Sequence, residues 1–217
     1  MSNKTYRILL DGKWSLEDLM VFSRVYFQNY SFIYCLETDV VDVAKYRIEK
    51  VLDEYELRSG LSYVSIYDIF RLSVQKSDLP QIDSIKYASP GWLDLILNVD
   101  VAIQFAKSLA VYLSAPVAAA EAYKRLHKIY IKLDKRRVEA KLQSLKLTVA
   151  EAKAAEALTK LLAKGIGFNS LDDLNKHTKN EEESARLLMA HHRRLTKIAE
   201  FVKSGKASFP THSADQN

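Results

Sequence analysis

The fold of this chain is decided by residues 99–146, which read VDVAIQFAKSLAVYLSAPVAAAEAYKRLHKIYIKLDKRRVEAKLQSLK. This is the longest helical pattern in the sequence, and it begins shortly after a Ser89-Pro90-Gly91-Trp92 break. Its first half is nearly all apolar or small, whereas its second half is basic and has apolar residues at helical spacing. We therefore predict one long helix over about residues 99–146, followed by a helical C-terminal half.

The basic half of this predicted helix carries an apolar seam with irregular helical steps. The seam consists of Leu126, Ile129, Leu133, Val138, Leu142 and Leu145. A narrow apolar seam on a helix packs against a second helix, which belongs either to the same chain or to another copy. The sequence therefore predicts partner binding through this seam, with a homo-oligomer as the expected assembly.

The remaining surface of the same segment is strongly basic, since only Asp134 and Glu139 oppose the many cations between residues 124 and 146. The candidate polyanion-binding residues are Lys128, Lys132, Arg136, Arg137 and Lys141. Phosphate binding by such residues would weaken steeply with salt. Two interpretations stay open: a nucleic-acid interface, or a solvated face that answers the acidity of the N-terminal half.

That acidity is visible in the charge distribution of the whole chain. Residues 1–100 carry 11 Lys and Arg against 15 Asp and Glu, and residues 101–217 carry 21 against 12. The apolar fraction of 48% and the charged fraction of 27% are ordinary for a globular protein. Six Gly and four Pro among 217 residues argue against a sandwich or barrel, which needs many turns. The single cysteine, Cys35, excludes an internal disulfide, and its aromatic neighbours predict a buried thiol.

A third interpretation concerns the apolar run at residues 101–123, which could associate with a membrane. Lys107 lies within this run, and Pro116 would kink or interrupt a helix there. The uncharged stretches on either side of Lys107 are too short to span a bilayer, which requires about 20 residues. We expect a buried helix, with a membrane-associating effector as the alternative.

The first half of the chain predicts a small α+β unit. Its strands are expected at Thr5–Leu10, closed by an Asp11-Gly12 turn, and in a hairpin over 81–98 that turns at Pro90-Gly91. Helices are predicted over 16–37, 40–57 and, among residues that also suit a strand, 62–74. The predicted fold is thus α+β and predominantly helical, with a small three-stranded antiparallel sheet. Its expected parts are an α+β head at 1–98, a helical region at 99–206 and a flexible tail at 207–217.

Two segments of this head, Asp11–Leu19 (DGKWSLEDL) and Ser84–Leu95 (SIKYASPGWLDL), resemble uncharacterised bacterial and prophage-associated proteins. The resemblance covers roughly the first half of the chain and implies a bacterial source. It implies no activity and no site residues.

The C-terminal part predicts shorter, capped helices. Thr148 and Glu151 form a capping-box pattern before an Ala-rich helix that ends near Gly165. Further helices are predicted at 171–176 and 181–204, the second capped by Asn180. His191-His192-Arg193-Arg194 in the last helix suggests a half-exposed basic surface, because adjacent helical residues point about 100° apart and do not easily share one metal ion.

The sequence contains none of the common hydrolase, zinc-protease, phosphate-loop or dinucleotide motifs. We therefore expect no catalytic residues, no metal, no cofactor and no small-molecule substrate. No signal peptide is recognised at the N-terminus, and the expected location is the cytoplasm. The predicted function is a non-catalytic interaction or scaffold protein that works through helical self-association or partner binding.

Overall fold

The computed structural model of the chain describes residues 4–36, 62–142, 145–168, 171–178 and 180–212. It is an α+β structure, predominantly helical with a small antiparallel sheet, as predicted. The elements in chain order are β1 (Lys4–Leu10), α1 (Leu16–Leu36), α2 (Ser62–Ser73), β2 (Gln81–Lys86), β3 (Gly91–Leu97), α3 (Val99–Ser114), α4 (Pro116–Ala140), α5 (Val149–Gly165), α6 (Leu171–His177), α7 (Glu181–Lys203) and β4 (Ala207–Ser208). The helix predicted over 40–57 lies outside the described residues.

The sheet has the strand order β2-β3-β1-β4 and contains the predicted hairpin and N-terminal strand. Its fourth strand was not predicted. Strand β4 is only two residues long, and it pairs with Leu9 and Leu10, about 200 residues earlier in the chain. Phe209 then packs onto the core, and the Tyr6 hydroxyl donates to the Pro210 carbonyl at 2.7 Å. The first residues of the predicted flexible tail at 207–217 are therefore part of the fold.

Helix α1 lies at the centre of the core and supplies most of its aromatic rings. Phe22, Tyr26, Tyr30 and Phe32 are buried, and Phe22 and Tyr26 both stack on Phe209. The predicted burial of Cys35 is confirmed, and burial raises the pKa of its thiol far above the usual range. A ring-rich helix of this kind packs on several neighbours at once, and α1 contacts α2, α3 and α7.

One hydrophobic core crosses the predicted boundary between the head and the helical region. Buried side chains of the sheet and α1 belong to the same cluster as those of α3, α4, α5 and α7. Phe105 of α3, for example, meets Tyr26 of α1 edge to face at 5.4 Å between ring centroids. The described residues on the two sides of residue 98 therefore share one hydrophobic core.

The predicted long helix over 99–146 is two helices. Helix α3 ends at Ser114, α4 begins with Pro116 at its first position, and the two are bent by 90°. Proline lacks the N–H that would continue the helical hydrogen bonds, and its ring clashes with the preceding turn. The first helix therefore ends just before Pro116, which suits the first position of the next helix. No single described helix is long and apolar enough to cross a membrane. Among the described helices, only the bent pair α3 and α4 taken together has the necessary length and apolar composition. The apolar side of α3 faces the core, with Val101, Phe105 and Leu109 buried.

The helix caps expected in the C-terminal part are confirmed. Thr148 and Glu151 form the complete capping box of α5, and the Asn180 side chain accepts the Glu183 N–H at the start of α7. These caps satisfy backbone donors that a helix start leaves unpaired. They fix where α5 and α7 begin, and both helices pack beside α4.

Candidate partner-binding face of helix α4

The predicted apolar seam divides between the two sides of α4. Leu126 and Leu133 are fully buried in the core of their own chain, and Ile129 packs partly against it. Leu145, beyond the helix, is partly exposed, whereas Val138 and Leu142 are exposed to solvent. The seam is therefore not one surface, because the inner face of α4 packs on α5 and α7 of the same chain. Only Val138 and Leu142 lie where a partner could bury them fully.

The candidate polyanion-binding residues divide in a similar way. Arg136 donates to Glu151 of α5 at 2.8 Å, and Arg137 donates two hydrogen bonds to Glu182 of α7 at 2.9 and 3.0 Å. The hydrogen bond from Arg136 lowers the pKa of Glu151, which keeps this carboxylate ionised. Lys128, Lys132 and Lys141 are exposed. The two arginines thus attach α4 to its neighbours, and three lysines of the predicted set stay accessible.

A buried arginine completes this attachment on the α7 side. The Arg186 guanidinium donates to Asp134 of α4 at 2.7 Å and to Glu182 at 2.8 Å, and it lies 5.1 Å from the ring centroid of Tyr130. Burial by itself would raise the pKa of Glu182, but the hydrogen bonds from Arg137 and Arg186 outweigh it and lower the pKa. The network holds α4 in one rotation about its axis, so its opposite side is presented to solvent in a fixed orientation.

That opposite side carries a second apolar pattern, which the sequence analysis missed. Residues seven apart on an α-helix lie within about 20° of each other. We define the outer stripe as two such rows on adjacent positions. It consists of Val117, Lys124, Ile131 and Val138, together with Glu121, Lys128 and Lys135, which lie four residues after the first three, and Leu142, which follows the left-handed C-cap Lys141 just beyond the helix.

The aliphatic members of the outer stripe are exposed to solvent. Val117 is 80% exposed, Ile131 52%, Val138 78% and Leu142 53%. A single exposed aliphatic residue on a protein surface needs no explanation, whereas several aligned along one helix face are typical of an interaction site. The heptad positions of Val117, Ile131 and Val138, with Lys124 between the first two, were present in the sequence, but nothing there separated this row from the inner apolar row.

The cations of the outer stripe differ in how they are paired. Lys135 lies 3.8 Å from Glu139, and the nearby Arg125 donates to Glu121 at 2.9 Å, both within α4. For Lys124, Lys128 and the neighbouring Lys132, the described part of the chain provides no ion pair. The stripe therefore combines exposed aliphatic surface with an excess of positive charge that the described residues do not neutralise.

The histidine pair in α7 is not half-exposed as expected. His191 is stacked on Phe32 at 4.0 Å between ring centroids, and His192 is stacked on Tyr123 at 4.6 Å. Both are buried, and none of their four ring nitrogens has a hydrogen-bond partner among the described residues. Burial lowers the pKa of His191 to about 3 and that of His192 to about 4. Both rings are therefore neutral near pH 7 and act as packing groups.

A crevice where α4, α5, α6 and α7 meet has a volume of about 270 Å³ and is the clearest place to look for catalytic groups. The Ser184 hydroxyl there donates to the Asn175 amide oxygen at 2.6 Å, which is not a base. Glu156 is paired with Lys160 at 2.6 Å, and Glu182 with Arg137. The Thr159 hydroxyl donates to the Ala155 carbonyl, so neither Ser184 nor Thr159 is joined to a general base of the kind that nucleophilic catalysis requires.

Among the described residues, no group of three or more His, Cys, Asp and Glu side chains is arranged to hold a metal ion. Comparison of the chain with protein-family models, with curated proteins and with solved structures finds no match.

Proposed function

We propose that the chain is a non-catalytic interaction protein of bacterial origin that binds a partner macromolecule through the outer stripe of α4. The observation that carries the proposal is the row Val117, Ile131 and Val138, three exposed aliphatic residues spaced by 14 and 7 residues on one rigid helix. Burying such side chains contributes roughly 25 cal/mol per Å² of apolar surface removed from water. The free monomer gains nothing from exposing them, so a binding role accounts for them best.

Two features of the surroundings support a binding role over a purely structural one. Helix α4 is fixed from behind by Arg136, Arg137 and Arg186, so its outer side is preorganised and a partner need not order it. The lysines beside the aliphatic row add long-range attraction for an acidic partner and would raise the association rate.

The other two interpretations have weaker support in the described residues. Arg136 and Arg137 of the candidate polyanion-binding set are engaged with carboxylates of α5 and α7. The aliphatic members of the outer stripe have no role in binding phosphates, and no aromatic stacking platform lies between its lysines. The apolar side of the 101–123 run faces the protein core, with Phe105, Leu109 and Tyr112 buried.

The proposal is tested by photo-cross-linking in the bacterial cells that express the protein. A photoreactive amino acid replaces Lys132, which flanks the outer stripe, or Lys153, an exposed control position on α5. We expect a discrete adduct from position 132 that is absent from position 153. Mass spectrometry of the adduct then distinguishes a second copy of the chain from another protein.

A matched pair of variants makes this test specific. Ile131→Gln with Val138→Gln removes the aliphatic row and keeps good helix formers, and it should abolish the adduct. Leu72→Gln with Leu161→Gln changes two exposed leucines of α2 and α5 and should leave it unchanged. If position 132 gives no adduct, or gives one that the Ile131 and Val138 substitutions do not weaken, binding through the outer stripe is wrong.

A further inference from the structure

The shape of the outer stripe matches a single helix. Val117 and Val138 are separated by about 32 Å along α4, which is about three heptads. The two rows of the stripe lie on positions three and four residues apart, which is the spacing of a coiled-coil seam. Such a seam is two rows of side chains wide and accepts one partner helix along its length.

The charge of the seam restricts what that helix can be. Lys124 stands within the aliphatic row, and Lys128 and Lys135 lie in the adjacent row beside Ile131 and Val138. Lys124 and Lys128 are unpaired in the described part of the chain, and Glu121 already binds Arg125. A second copy of the same stripe would place lysines against lysines, which is repulsive, whereas carboxylates at the facing positions would neutralise them.

The same arrangement argues against a lipid surface. A helix that lies on a bilayer separates its cations from a broad apolar face, which inserts among the acyl chains. In the outer stripe the lysines alternate with the aliphatic residues along the same face, so insertion of Ile131 and Val138 would pull Lys124 and Lys128 towards the hydrocarbon.

Building on the proposed function, we propose that the partner presents an acidic amphipathic helix to the outer stripe. Its carboxylates lie opposite Lys124 and Lys128, and its aliphatic residues lie opposite Ile131 and Val138. The surface charge of α4 and the width of its seam then select the same kind of partner. This assigns the partner by chemistry: a helix with Asp or Glu and Leu, Ile or Val in alternate layers of one face.

The probe for the test is a synthetic helical peptide about three heptads long, with Glu facing the lysines and Leu facing the aliphatic residues. A second peptide carries Gln in place of every seam Glu. We expect the acidic peptide to bind the full-length protein at low salt, measured by fluorescence anisotropy. The Gln peptide should bind about tenfold more weakly or worse, because it cannot form the ion pairs.

Charge reversal on the protein gives the reciprocal test. Lys124→Glu with Lys128→Glu should weaken binding of the acidic peptide by about tenfold or more. Lys153→Glu with Lys164→Glu reverses the charge of two exposed lysines of α5 and should change the affinity for the peptide by less than about twofold. Equal effects of the two pairs would show general charge attraction and would overturn the inference.

Vesicles of phosphatidylglycerol and phosphatidylcholine and a short DNA duplex are titrated in parallel with the same variants. Binding to either that depends on Lys124 and Lys128, without binding of the acidic peptide, overturns the assignment of the partner. The cross-link from position 132 separates this failure from that of the proposed function. An adduct without peptide binding means that the stripe binds a partner of another kind, whereas loss of both removes both proposals.

Discussion

Lowering the pH from 7 to 5 is expected to reduce the free energy of unfolding by about 4 kcal/mol through His191 and His192 alone. In the folded protein burial holds their pKa values at about 3 and about 4, so both rings stay neutral over this range. In the unfolded chain they titrate near 6.5 and take up protons as the pH falls. The unfolded state therefore binds more protons, and stability is lost progressively below pH 6.5, by about 2 kcal/mol for each ring at pH 5.

The charged neighbours reinforce this direction. Arg194 and the second ring disfavour protonation of His191, and Arg193 disfavours that of His192. His127 stacks on Tyr123 at 5.5 Å between ring centroids, and its pKa is lowered by burial and then by Arg193 and Arg186. In the described part of the chain, no carboxylate acts on the His191 and His192 rings to compensate a positive charge there.

The measurement is denaturant unfolding followed by circular dichroism at pH 7, 6 and 5, where most carboxylates are still ionised. His191→Phe with His192→Phe keeps the stacks on Phe32 and Tyr123 and should remove most of the decline between pH 7 and 5. The matched control is His212→Phe, which replaces an exposed histidine. Its free energy of unfolding should decline between pH 7 and 5 as that of the wild type does. A double variant as acid-sensitive as the wild type would show that these rings are not the cause.

The parts of the fold that the sequence predicts are those specified by local chemistry. The Thr148 and Glu151 capping box, the Asn180 cap and the hairpin at Pro90-Gly91 each depend on residues a few positions apart. Strand β4 depends on Leu10 meeting Ala207, and a two-residue strand has no periodicity to reveal it. Local patterns therefore give the elements, whereas pairing between distant segments decides where they end.

The candidate site illustrates the same limit on a single helix. Helix α4 has two apolar rows, one through Leu126 and Leu133 and one through Ile131 and Val138, and both have spacings typical of helix packing. Which row becomes the core depends on the 90° bend at Pro116 and on the ion pairs to α5 and α7. Proline signals the break, but its angle follows from long-range packing, so the sequence analysis joined members of both rows into one seam.

The buried histidines were missed for a related reason. Their neighbours Arg193 and Arg194 make that part of α7 look like a solvated surface. In the structure α7 lies between α1 on one side and α4 and α5 on the others, so little of its circumference is left for solvent. Arg194 still lies over the Tyr67 ring at 4.0 Å, as its long aliphatic stem allows.

Replacing Arg186 by methionine is expected to lower the free energy of unfolding by about 3 to 5 kcal/mol, because one partner of a buried ion network is removed and its carboxylates stay. Among the described residues, Glu182 would then keep its pair with Arg137, and Asp134 would keep a 3.6 Å contact to the Arg137 guanidinium. Urea unfolding measures the loss. Arg125→Met breaks the exposed pair with Glu121 and should cost less than about 1 kcal/mol, which makes it the matched control.

A second substitution separates loss of packing from loss of charge balance. Adding Glu182→Gln to Arg186→Met removes the uncompensated carboxylate and should recover part of the lost stability, since a buried pair can often be replaced by neutral groups at little cost. Arg186→Lys keeps the charge but not the two-pronged geometry that reaches Asp134 and Glu182 together, so it should fall between wild type and methionine. If Arg186→Met is as stable as the wild type, the network does not fix the rotation of α4, and the fixed presentation of the outer stripe loses its physical basis.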